Sequence, residues 1–231
     1  VPLVAVGAGL IFATSAQTSQ GTDLRSSGRS DLVDVVRAQD HAVAVRAAAV
    51  QRLQGEVDAL TVKAAPGSNS VARLRARVSR LAPIVGTQAV TGPMLSVSLD
   101  DAKRTAASLP KDFTADDIVV HQQDVQAVVN ALWAGGAEAM MLQDQRVIST
   151  SAVRCVGNTL ILQGRVYSPP YVIRVIGDRT AMRAALDRSE QIRIYRQYAD
   201  LLGLGYDVRS NDQVTFPAYA GILSLSYARA Q

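Results

Sequence analysis

The stretch VVHQQDVQAVVNALWAGGAEAMMLQDQRVIST, residues 119–150, decides how the chain folds. Val125, Val128, Val129, Leu132 and Trp133 fall at i, i+3, i+4, i+7 and i+8, the spacing of the buried stripe of an amphipathic helix. Asp124 stands in the first turn, where the helix dipole favours an acid. Gly135 and Gly136 stop the helix, one of them in the left-handed cap position. Ile118 to Val120 reads as a short extended piece before it. "AEAMML" reads as a strand after it, "QDQ" as a turn and "RVIST" as a further strand. Strand, helix and strand at this spacing predict a right-handed βαβ crossover.

Towards the C-terminus, "NTLILQG" and "PPYVIRVIG" carry β signals. Residues 180–187 read as a helix with Met182, Ala185 and Leu186 on one side. Residues 191–202 read as another through Ile192, Tyr195, Tyr198 and Leu202. "GYDVRSNDQVTFPAY" reads as a hairpin turning at Ser210, Asn211 and Asp212. On the other side, "PMLSVSLDD" alternates, with Leu95, Val97 and Leu99 on one face of a strand. The polar connection at 102–117 reads as a surface loop. The expected head is α+β: a ferredoxin-like mixed sheet with helices on one face, over residues 84–231.

Before the head the pattern changes to a heptad. Val36, Val43, Val50 and Val57 recur every seven residues, and Leu32, Leu53 and Leu60 hold the complementary seam position, with Gln39 and Arg46 between. "AAPGSNS" interrupts the helix at 64–70, and Val71, Leu74, Val78 and Leu81 resume the seam until Pro83. This predicts a coiled-coil stalk over 31–83 and a homodimer. The competing reading is an amphipathic helix lying on its own domain.

Residues 1–16 carry no charge. As a helix they would span about 24 Å at ~1.5 Å per residue, against a bilayer core of ~30 Å. A truncated membrane anchor, the apolar part of a signal peptide and a core segment compete for this stretch. The small and polar residues of the linker at 17–30 speak against the core.

Composition narrows the function. The 231-residue chain is 48% hydrophobic with only 5% aromatics, so its core is built from small aliphatic side chains. The net charge of +4 is spread along the chain without a basic block, which argues against nucleic acid. One cysteine, Cys155, and two histidines, His41 and His121, leave no intramolecular disulfide and no structural zinc set. His121 has Asp124, Asp144, Ser149 and Ser151 nearby in sequence. A hydrolase would need these within hydrogen-bond reach, and no nucleophile elbow is present. The adjacent acids Asp100-Asp101 and Asp116-Asp117 are poor acid/base couples. No catalytic residue, cofactor or metal is therefore assigned.

The polar set Arg146, Arg154, Asn158, Arg165 and Tyr167, with Pro169, Pro170 and Tyr171, is the candidate partner or ligand surface. Its plainer reading is the solvent face of strands, with the prolines opening an edge strand. The reading that results is a non-enzymatic scaffold or partner-binding protein. A ligand-sensing head is the alternative.

"DVQAVVNALWAGGAEAMMLQDQRVIST", "GPMLSV", "SPPYVI" and the "IG" after it resemble the YlxW-like family of Gram-positive membrane proteins, some of whose members carry the label division initiation protein. The resemblance runs from about residue 1 to 221. It implies a single N-terminal membrane anchor at the cell membrane, a coiled coil, an extracytoplasmic head and an envelope or division partner. It implies no catalytic residues.

Overall fold

The structure, a computed structural model, describes residues 24–64, 69–156 and 159–221. The chain divides into two compact units, Val1–Arg46 and Ala47–Gln231. Helix α1 (Leu24–Ala64) is rich in alanine, and Arg37–Asp34 and Arg52–Glu56 pair across three or four residues on its surface. Helix α2 (Asn69–Val85) ends at Gly86, whose φ of +83° is open to glycine at little cost. A Cβ there would also sit 2.5 Å from Ile148 Cγ2. The expected break at 64–70 falls largely on residues outside the description. So do the expected anchor at 1–16 and the expected linker as far as residue 23. No helix among the described residues is long and apolar enough to cross a membrane.

Among the described residues eight strands follow: β1 (Val90–Asp100), β2 (Ala137–Leu142), β3 (Gln145–Val147), β4 (Arg154–Val156), β5 (Thr159–Leu162), β6 (Arg165–Tyr167), β7 (Tyr171–Gly177) and β8 (Gly205–Phe216). Helix α3 (Gln122–Ala134) lies between β1 and β2, and α4 (Arg179–Arg188) and α5 (Glu190–Leu202) lie between β7 and β8. Five strands form one sheet in the order β3-β2-β7-β1-β8, and β4-β5-β6 form a second, smaller one.

The expected ferredoxin-like mixed sheet does not hold. Every pair in the larger sheet is antiparallel, it has five strands, and a separate three-stranded sheet accompanies it. β1 and β2 run the same way, as a crossover through α3 requires, with β7 between them and antiparallel to both. The departure lies in β3 at the edge and in β4-β5-β6, inserted between β2 and β7. The piece before α3 is also not a strand: Ala115–Ile118 is a 3-10 turn. The expected hairpin at Ser210-Asn211-Asp212 is one continuous strand. Met94 pairs with Asn211 and Gly92 with Val214, so the turn residues form a bulge of one extra residue.

Local chemistry sets the helix ends. The His121 N–H donates to Asp124 Oδ2 at 2.9 Å, and Gly136 closes α3 with φ +87°. Asp178 caps α4 by accepting from Thr180 N and Ala181 N, and Ser189 Oγ caps α5 by accepting from Ile192 N. The three helices pack on one face of the sheet. Val125, Val128 and Leu132 of α3 meet Leu95, Val97, Met140 and Ile173 in the main core, with Met182, Leu186 and Ile192 beside them. Trp133 departs from the expected stripe: it is 39% exposed. The opposite sheet face carries a smaller apolar cluster, Ala139, Met141, Ile176 and Phe216.

Candidate functional site

β3 is three residues long, and its alternation turns Arg146 away from the main core, in register with Met141 of β2. Arg146 is 4% exposed, the single buried charged residue among those described. Its Nη1 donates to the Pro217 carbonyl at 2.9 Å. Its Nε is buried and has no acceptor. No carboxylate pairs with it among the described residues, and burial lowers its pKa. β4 brings Arg154 to the same cavity, of about 320 Å³, as a solvent-exposed side chain. Val147, Val153, Ile161 and Leu162 supply apolar wall, and no acid lines it.

Arg165 and Tyr167 sit in a different constellation. Arg165 Nη1 and Asp144 Oδ2 are 2.5 Å apart, Tyr167 donates its hydroxyl to Asp144 Oδ1, and Gln145 Nε2 donates to the Tyr167 oxygen at 2.9 Å. The Arg165 guanidinium lies 5.7 Å from the Tyr167 ring centroid. Burial pushes the Asp144 carboxyl up, but hydrogen bonds from Tyr167 and Gln145 and the Arg165 charge bring it below its ordinary value. Burial, then the bond to Asp144, pushes the Tyr167 hydroxyl far up. This cluster fastens β6 to the β2–β3 turn.

The remaining members of the expected surface separate. Pro169-Pro170 is a cis peptide ahead of β7, and the Pro170 carbonyl accepts from Gln143 Nε2 at 3.0 Å. Tyr171 is buried in the main core and is a packing residue, not a surface one. Asn158 and the side chain of Cys155 lie outside the described residues. Of the expected set, then, Arg146 and Arg154 share a cavity and Arg165 and Tyr167 share a polar cluster. Sequence reasoning missed Gln163 and Tyr219, which also line the cavity. Tyr219 arrives there because its N–H donates to the Gly86 carbonyl at 2.8 Å. No local pattern in the sequence announces that contact.

His121 does not meet a serine. Its Nε2 is 2.9 Å from the Asp116 carbonyl oxygen and 3.8 Å from Asp116 Oδ2. Ser151 Oγ instead accepts from Ile148 N at 2.9 Å. Among the described residues no group of three or more His, Cys, Asp or Glu side chains is placed to hold a metal ion.

Residues 77–229 match the family described as bacterial protein of unknown function, DUF881. The chain belongs to this family. It is 28% identical over 214 residues to the UPF0749 protein Rv1823 of Mycobacterium tuberculosis, covering 91% of this chain and 63% of that one. It is 27% identical over 103 residues to the UPF0749 protein YlxW of Bacillus subtilis, covering 45% of this chain and 43% of that one. The resemblance read from the sequence is thereby established at the level of the family. The crystal structure of an uncharacterised conserved protein from Mycobacterium tuberculosis superposes with a TM-score of 0.50 at 26% identity, covering 67% of this chain and 99% of that one. The chain spans less than two thirds of the length of the mycobacterial relative Rv1823.

Proposed function

We propose that the chain is a non-enzymatic scaffold that self-associates through α1 and α2 and presents a partner-recognising head. One observation carries this reading. Val43, Val50 and Val57 of α1 recur every seven residues, and Val71, Val78 and Val85 of α2 fall on the same count. Leu53, Leu60, Leu74 and Leu81 keep the complementary position. Counted along the sequence, α2 therefore keeps the same heptad positions as α1. Leu53, Val57, Leu60, Leu74, Val78 and Leu81 are all exposed in the single chain. Fully covering each would contribute roughly 1.5–3 kcal/mol. Valine at a with leucine at d favours two parallel strands, so the occupant of this seam is a second copy. The envelope setting and the link to division implied by the family resemblance belong to the same proposal.

Sedimentation equilibrium on the whole chain tests it. A dimer is expected, and Val57→Asp with Val78→Asp should convert it to a monomer whose head melts as before. A monomeric wild-type chain at high concentration sinks the reading. A second reading, a head that responds to a small ligand, is favoured by the cavity that Arg146 and Arg154 share.

A further inference from the structure

We propose that the cavity between β3, the 148–153 loop and the smaller sheet is a binding site for a small organic carboxylate, held by the Arg146 guanidinium and closed over by Arg154. The inference rests on the ligand-responsive reading of the head. Three observations converge on it.

The first is an unsatisfied cation. A guanidinium removed from water ordinarily has a carboxylate partner or a full set of acceptors, because desolvating its charge is costly. Arg146 is buried, spends Nη1 on the Pro217 carbonyl, and keeps Nε buried without an acceptor. Arg165 and Arg174 also keep a buried Nε without an acceptor, but Arg165 has Asp144 and neither residue is buried as a whole, as Arg146 is. The second observation is the charge of the lining: two arginines and no acid. Arg154 makes no ion pair among the described residues and is free to fold over an anion at the mouth. The third is the wall. Val147, Val153, Ile161 and Leu162 give the cavity an apolar side, and about 320 Å³ suits a compact body carrying one charged end.

Carboxylate is the class that fits best. One planar carboxylate can accept from a single guanidinium edge. Phosphate sites are usually built with helix N-termini or nests of backbone N–H groups, and no residue of an α-helix lines this cavity.

The test uses the whole chain and three probes that share one ring and differ at the charged end: benzoate, benzamide and phenyl phosphate. Amide resonances of residues 145–153 and 161–164 are followed by two-dimensional NMR during titration. Benzoate is expected to shift them saturably, with benzamide and phenyl phosphate at least tenfold weaker. Arg154→Gln, an exposed substitution that leaves the fold intact, should weaken benzoate severalfold. Arg146→Lys should abolish its binding while the spectrum stays that of a folded head. Equal binding of benzamide, or tighter binding of phenyl phosphate, overturns the carboxylate assignment and leaves a ligand-binding head standing. Silence to all three probes overturns both. Benzoate binding that neither arginine variant alters also overturns the site.

Discussion

Two sets of helical apolar residues in this protein look alike in sequence and end in opposite environments. On α3, Val125, Val128 and Leu132 are buried against the sheet. On α1 and α2, Leu53, Val57, Leu60, Leu74 and Val78 stand exposed. Propensity does not separate them, since both are valines and leucines at helical spacing. The period of the pattern does. A short stripe at i, i+3, i+4, i+7 can be covered by one sheet, whereas a repeat of seven carried over two helices turns one narrow seam towards a like partner. A stripe therefore says that something covers it, and the length and exactness of its period say whether the cover comes from the same chain.

The sharpest way to break this comparison is at the covered stripe. Leu132→Ala removes a fully buried side chain and is expected to destabilise the head by about 2–5 kcal/mol, read as a lower midpoint in urea. A loss below about 1 kcal/mol would show that the α3 stripe is not the centre of the core. On the exposed stripe, Leu60→Ala should leave the head's own midpoint unchanged and lower only the concentration-dependent part of the melt. An equal loss at all concentrations would place Leu60 inside the chain's own packing. Trp133 tests the boundary between the two. Full burial would make Trp133→Ala cost about 3–5 kcal/mol; at 39% exposure the expected loss is about 1–2 kcal/mol.

The smallest effect is electrostatic. Asp144 titrates below its ordinary value in the folded head. A carboxylate with a lowered folded pKa contributes stability that is full above its unfolded value and is lost as pH falls from there through the folded one. Asp144→Asn should therefore flatten the loss of stability below about pH 4. Because half of this side chain is open to solvent, the effect should stay under about 1 kcal/mol. Unchanged acid melts in the variant would remove Asp144 from the ties that hold β6.

Much of the head was legible. The alternation of Leu95, Val97 and Leu99, the stripes of α3, α4 and α5, and the glycine stop after α3 all depend on neighbours a few residues away, where periodicity and caps speak directly. The pairing was not. β7 enters between β1 and β2 from far along the chain, and nothing in "YVIRVIG" states which strands it will meet. The Ser210-Asn211-Asp212 cluster carries a true irregularity signal, but turn and bulge share their residue preferences, so composition alone favours the commoner turn. In the site, Arg146 and Arg154 were named together and line one cavity, whereas Tyr171 was misplaced because its alternation partner on the core face was unknown. The burial of Arg146 could not be read at all. Its one side-chain hydrogen-bond partner, the Pro217 carbonyl, is distant in sequence and meets β3 only in the folded chain.

The bulge in β8 has a further consequence. β8 is the outer strand of the sheet and twelve residues long, with Asp207, Arg209, Asn211 and Asp212 along it. A flat edge of that length would be a template for adding another strand. Two heads tethered by a common stalk would meet each other at an effective concentration in the millimolar range, far above that of free molecules. The extra residue bends the edge and the charges keep it wet. In the proposed dimer the sheet can thus be crowded against its twin without continuing into it.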